Sequence, residues 1–217
     1  MPRPDRYGRL VDTDPGMPFR LLPPPAPLAS ACRDRIAAAL ALLDAGYPVL
    51  AAELRVILRE IVLAVGPDER GAVVFDGASS FMLWGAIILN ARTHKTVLDM
   101  VQALAHESGH NLLFGLCADG PLIENDEAER YASPLRLDPR PMDGIVHATY
   151  VTARMHQAVD HLLESGVLNA EQEAEVRASL AGHRRAFADG IATIDRHARF
   201  TPLGAAVMAG ARDYMAL

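Results

Sequence analysis

The sequence predicts a mainly α-helical domain gathered around one apolar helix, with one small β-hairpin or sheet beside it. Three observations lead there. Apolar residues recur at three- and four-residue spacing over six stretches, and β-branched and aromatic residues concentrate in one region around 71–89. The 217 residues, 50% of them hydrophobic, suffice for a single core.

Residues 1–28 hold more than half of the prolines and end in Leu22-Pro23-Pro24-Pro25-Ala26-Pro27. Proline removes a backbone donor and resists the helix interior, so this stretch reads as an extended arm, laid over the domain or serving as a tether. Residues 29–217 then form one domain. A helix is expected from Ser30 to about Ala45, with Ile36, Ala39, Leu40 and Leu43 on one face and Gly46 as its stop. Pro48 suits the first turn of a second helix, running through Leu54 and Ile61 to Gly66-Pro67. The spans Gly71 to Phe75 and Phe81 to Leu89, separated by Gly77 to Ser80, read as a strand pair, with Trp84 in the core.

Thr96, with Asp99 three residues on, caps a helix of about 96–116 whose stripe is Val97, Leu98, Met100, Val101, Leu104 and Ala105. A polar, turn-rich connection of more than twenty residues follows, and a loop of that length in a compact domain tends to carry function. Met142 to Ser165 forms the next helix, with His147, Tyr150, Arg154 and His161 on one face. Asn169 and Gln172 make a capping box for a helix reaching His197, and Leu203 to Met215 closes the chain.

The net charge of −6, with Lys and Arg scattered among more numerous carboxylates, argues against a nucleic-acid partner. Cys32 and Cys117 stand far apart and outside any C-x-x-C arrangement, which fits a reducing compartment. Met1 to Arg6 lacks an apolar signal core, and no run of eighteen apolar residues occurs. A cytoplasmic protein without a membrane partner is the expectation.

Within the capped helix stands His106-Glu107-Ser108-Gly109-His110. Imidazoles four residues apart project from one helical face and can close on one metal ion, with Glu107 to the side. Burying two histidines and a glutamate has a desolvation cost that a divalent metal offsets, giving a zincin-like metal helix without a standard peptidase fold. A histidine pair hydrogen-bonded in the core is the competing reading. A catalytic metal usually has three protein ligands, and Glu124, the first carboxylate after Leu122-Ile123, is the first choice for the third. His147, opening the next helix, is the rival, as a metal ligand or a substrate contact, and Asp119, Asp126 and Glu127 are weaker candidates. Two histidines and a carboxylate suit zinc or non-haem Fe(II). With zinc, Glu107 is the general base for a metal-bound water, and a metallopeptidase follows.

The run Tyr131-Ala132-Ser133-Pro134-Leu135-Arg136-Leu137-Asp138-Pro139-Arg140-Pro141, with Gly144 and His147 after it, resembles an HExxH family found with ribosomally made, post-translationally modified peptides (RiPPs). The resemblance covers residues 97–155. It implies an Fe(II)- and 2-oxoglutarate-dependent dioxygenase that hydroxylates a precursor peptide, most simply at a β-carbon. It carries over His106 and His110 as iron ligands, with Glu124 matched to the downstream carboxylate. Bound 2-oxoglutarate leaves a distal carboxylate in need of a cation, which Arg136 or Arg140 supplies bidentately, with Ser133 or Tyr131 as hydroxyl partner. Ordinary salt bridges of these arginines to Asp138 or Asp126 are the plain alternative. In this chemistry Glu107, the catalytic candidate of the zinc reading, orients a ligand or a water.

Overall fold

A computed structural model describes residues 7–8, 10–11, 20–67, 75–133 and 138–216. In chain order the elements are α1 (Ala26–Gly46), α2 (Pro48–Ile57), β1 (Glu60–Ala64), β2 (Gly77–Ala78), β3 (Ala86–Asn90), α3 (Val97–Leu116), α4 (Met142–Glu164), α5 (Ala170–His197) and α6 (Pro202–Met215). Short 3-10 turns occupy Phe81–Leu83 and Cys117–Asp119. The protein is therefore mainly helical with one small sheet. Among the described residues, no helix is long and apolar enough to cross a membrane.

Several boundaries differ from expectation for identifiable reasons. The first helix starts at Ala26 because Pro25 can cap it and Pro27 sits in its first turn, where a missing N–H costs nothing. The second helix does not reach Ile61. It stops at Ile57, Leu58 turns extended, and Glu60–Ala64 becomes a strand paired in parallel with Ala86–Asn90. Ladder bonds to β3 and two-faced burial outweigh the helical spacing of the same residues. The strand pair expected over 71–89 is also redrawn: residues 71–74 lie outside the described residues, Gly77–Ala78 pairs antiparallel with β3, and Phe81–Leu83 is a turn. The sheet order is β1-β3-β2.

Side chains alternate across this sheet. Ile61, Leu63, Ile87 and Leu89 face a cluster built from α1, α2, α3 and the second half of α4. Val62, Ala64 and Ile88 face the other way, where Leu21, Tyr7 and Val11 of the N-terminal arm cover them together with Phe75. The arm is tied by the Leu22–Val65 backbone bridge and by Tyr7, whose hydroxyl donates to Glu60 Oε2 at 2.8 Å. A second cluster joins Leu113, the first half of α4, α5 and α6. Helix α3 thus enters one apolar cluster with Leu98 to Ala105 and the other with Leu113, and residues 106–110 fall at the seam.

Trp84 is not core. It is 65% exposed, because its indole N–H reaches the Asn111 carbonyl at 3.0 Å only by lying flat along the outside of α3 over Gly115.

Leu21, 3% exposed, should anchor the arm. Leu21→Ala is expected to cost about 2–4 kcal/mol, each kcal/mol lowering Tm by about 2–4 °C in a chain of this size. Calorimetry checks this, and an unchanged Tm would remove the arm from the core.

Candidate metal centre

The register of α3 is set ten residues before the motif. Thr96 Oγ1 accepts from the Asp99 amide at 2.9 Å, and Asp99 Oδ2 accepts from the Thr96 amide at 3.0 Å, a reciprocal box that fixes the first turn. Leu98, Val101, Leu104 and Ala105 then bury completely, or nearly so, which turns His106 and His110 towards α4. Gly109 lets the two helices meet: a Cβ there would stand 3.1 Å from Val151 Cγ1 and 3.5 Å from Arg154 Cγ. Arg154 is held by Glu53 of α2 and by Gln157 at 3.1 Å.

Across this contact three imidazoles gather. His106 Nε2 and His110 Nε2 are 3.3 Å apart, and His110 Nδ1 and His147 Nδ1 are 3.1 Å apart. Phe114 stacks on His110 at 6.2 Å and tilts against His147 at 5.5 Å. Burial holds His106 down at about 4, helped by His94 and opposed by Asp76; it holds His110 well below the ordinary value and lowers His147 as well. All three rings are neutral at pH 7, the form whose lone pair binds a metal.

Two nitrogens bound to one tetrahedral ion at about 2.0–2.1 Å stand about 3.3–3.4 Å apart. The Nε2 pair of His106 and His110 has this spacing, so the donor set fits two ligands of one ion. His147 meets the opposite nitrogen of His110, and its own Nε2 lies 3.7 Å from the Asp143 carboxylate. One hydrogen bond joins the two Nδ1 atoms, and the tautomer in which His110 carries that proton leaves its Nε2 lone pair free beside His106. His147 is thereby a hydrogen-bond partner of the His110 ring. Among the described residues no three His, Cys, Asp or Glu side chains surround one point.

Glu107 faces elsewhere. A Cβ on Gly77 would fall 2.3 Å from its Oε1 and 2.9 Å from its Cδ, so a side chain at position 77 would force the carboxylate to shift. Its Oε2 is buried without a hydrogen-bond partner among the described residues, and burial raises the group to about 7, against a hydrogen bond to Ser79 and with Asp76 adding to the rise. Asp76 therefore acts on both Glu107 and His106, and His94, at φ 53°, contacts the Asp76 carbonyl through Nε2 at 3.0 Å. Sequence reading passed over both residues. The turn dipeptide Asp76-Gly77 was their one visible signal.

The remaining candidates are dispersed. Glu124 is exposed, its amide donates to Arg199 O at 2.7 Å, and no hydrogen bond or ion pair joins its carboxylate to a histidine. Arg140 pairs with Asp138 at 2.7 Å and is tied to Tyr131 by two backbone bonds just before α4. The Tyr131 hydroxyl donates to Glu129 and its ring lies 4.9 Å from His197. Ser133 is half-buried at the edge of the described residues, and Arg136 lies outside them. The exposed Asp119, Asp126 and Glu127 have no ion pair to the imidazoles.

Further along α4 and α5, His183 is half-buried, its Nδ1 has no partner among the described residues, and burial with His156 and His106 nearby pulls it down to about 4. A histidine lowered on folding contributes stability above its ordinary value of 6.5 that is lost as pH falls towards 4. Tm should therefore drop steadily between those pH values, and His183→Gln should remove up to about 3 kcal/mol of that dependence. A pH series of melts checks it; an unchanged slope in the variant would contradict it. Among known proteins, no family model and no curated sequence matches this chain.

Proposed function

We propose that the protein is an Fe(II)- and 2-oxoglutarate-dependent oxygenase that hydroxylates a side chain, at a β-carbon, of a ribosomally synthesised peptide. The observation that carries this reading is the division of labour along α3: two neutral imidazoles share a metal-ligand spacing, while Glu107 is enclosed beneath Gly77 instead of standing beside them. The resemblance of residues 131–147 to the peptide-modifying HExxH family supports it. Iron with 2-oxoglutarate supplies hydroxylation by O2, in which a substrate C–H becomes C–OH as the cosubstrate becomes succinate and carbon dioxide.

The chain's own residues have these roles. His106 and His110 hold the metal through Nε2, and His147 keeps the His110 proton on Nδ1. Arg140, in the isolated bridge to Tyr131 just before α4, would exchange Asp138 for the distal carboxylate of the cosubstrate, with Arg136 as the other cation from the same connection. Ser133 and Tyr131 are the hydroxyl candidates there. Glu107 fastens β2 to α3 through Ser79 and sets the wall behind His106.

A zinc metallopeptidase is the second reading. It is favoured by the partnerless Oε2 of Glu107 and by the rise of that group to about 7, which suits a general base.

Anaerobic reconstitution with Fe(II) and 2-oxoglutarate separates the two. The oxygenase reading expects a visible charge-transfer band, absent in His106→Ala and weakened at least tenfold in Arg140→Ala, and succinate after oxygen is admitted. Absence of band and succinate, with zinc-supported peptide cleavage that Glu107→Gln abolishes, would establish the second reading instead.

A further inference from the structure

Among the described residues, His94 is the one residue other than glycine with φ in the left-handed region, at 53°. A side chain with a Cβ is strained there, and such strain persists only where neighbouring groups impose it. They do so here. His94 Nε2 lies 3.0 Å from Asp76 O, which also accepts from the Asn90 amide at 2.9 Å and lies 3.5 Å from Thr93 Oγ1. A carbonyl oxygen only accepts, so in the neutral ring this contact puts the proton on Nε2 and the lone pair on Nδ1. That Nδ1 has no hydrogen-bond partner among the described residues. Histidines that bind metal show the same division: one nitrogen faces the ion while the other ring N–H donates to a carbonyl or a carboxylate.

The ring is also tied to the ligand helix. Asp76 precedes Gly77, and Gly77 lies so close to the Glu107 carboxylate that a Cβ would stand 2.3 Å from Oε1. Glu107 follows His106, so a run of contacts leads from His94 through Asp76, Gly77 and Glu107 to the imidazole pair. After burial, the charge of His94 is the foremost influence on the His106 ring. Other donors are worse placed. His147 Nδ1 is engaged with His110 at 3.1 Å, and no hydrogen bond or ion pair joins the Glu124 carboxylate to a histidine. His183 also has a bare Nδ1 and feels His106, but among the described residues no hydrogen bond from its other nitrogen orients the ring.

We propose that His94 is the third protein ligand of the ion held by His106 and His110, binding through Nδ1 while its Nε2–H stays on the Asp76 carbonyl. This assignment rests on the metal-centre reading above and is independent of which reaction the ion supports. Among the described residues no three donors meet at one point, so binding draws the His94 ring towards His106 with the Asp76 bond as its pivot. Three neutral nitrogens leave the double positive charge of the ion uncancelled, which favours an anionic chelating ligand in the remaining positions.

The test loads the wild-type protein with Co(II) and counts the exchangeable imidazole N–H signals that the ion shifts far downfield in proton NMR. Each bound ring has one such proton, so three signals are expected, and two in His94→Gly. Glycine adopts a φ of 53° freely, so this variant loses the ring without new backbone strain. Its cobalt affinity should fall at least about 100-fold, beyond the roughly 10–100-fold typical of an outer partner of a ligand, and millimolar imidazole should restore it in part. His183→Gln should bind cobalt as the wild type does. Two shifted signals in the wild type, a smaller loss in His94→Gly, no recovery with imidazole, or an equal loss in His183→Gln would overturn the assignment and leave the His106–His110 centre standing. A wild-type protein that takes up no cobalt would overturn both.

Discussion

The close approach of α3 and α4 at Gly109 is the constraint on which the candidate site depends. With only a hydrogen in place of a side chain there, Val151 and Arg154 sit directly on the α3 backbone, and His110 comes within 3.1 Å of His147 one turn away. The seam between the two apolar clusters falls at this crossing. Polar side chains at a seam are desolvated from both sides, which is why the three rings lose their affinity for protons. The same desolvation makes them ready ligands. A metal adds no proton-release cost to rings that are already neutral.

A second constraint acts from the opposite side of α3. Gly77, on the two-residue strand β2, admits the Glu107 carboxylate, and the sheet behind it is pinned by Leu21 and Tyr7 of the arm. The proline-rich arm, the small sheet and the motif glutamate therefore form one connected support. Its effect is to separate the chemistry of the motif: imidazoles face α4, and the carboxylate faces the sheet.

Local signals made part of this visible in the sequence. The Thr96–Asp99 and Asn169–Gln172 boxes announce their helices, because a cap is written in residues three apart. His106 and His110 were legible for the same reason, and His147 because proline before a helical pattern placed it on the second turn of α4. What depended on distant chain was not legible. Glu60–Ala64 has helical spacing and becomes a strand only because Ala86–Asn90 lies beside it. Trp84 has the composition of a core residue and is held outside by an acceptor 27 positions away. Glu124 is legible as the first carboxylate after the apolar pair Leu122-Ile123, whereas Asp76, whose charge acts on His106, lies thirty residues upstream of that ring. The orientation of Glu107 follows from Gly77, and nothing in the five-residue motif specifies it.

The central claim, that His106 and His110 form a metal centre oriented by His147, is tested most directly by titrating metal-free protein with Co(II) while following emission of the one tryptophan. Trp84 is bonded to Asn111, next to His110, so an ion on the Nε2 pair lies close enough to quench it. The account predicts quenching that saturates at one equivalent, vanishes in His106→Ala and in His110→Ala, and requires about 10–100 times more cobalt in His147→Ala. Quenching that never saturates, or that is the same in all three variants, would contradict it.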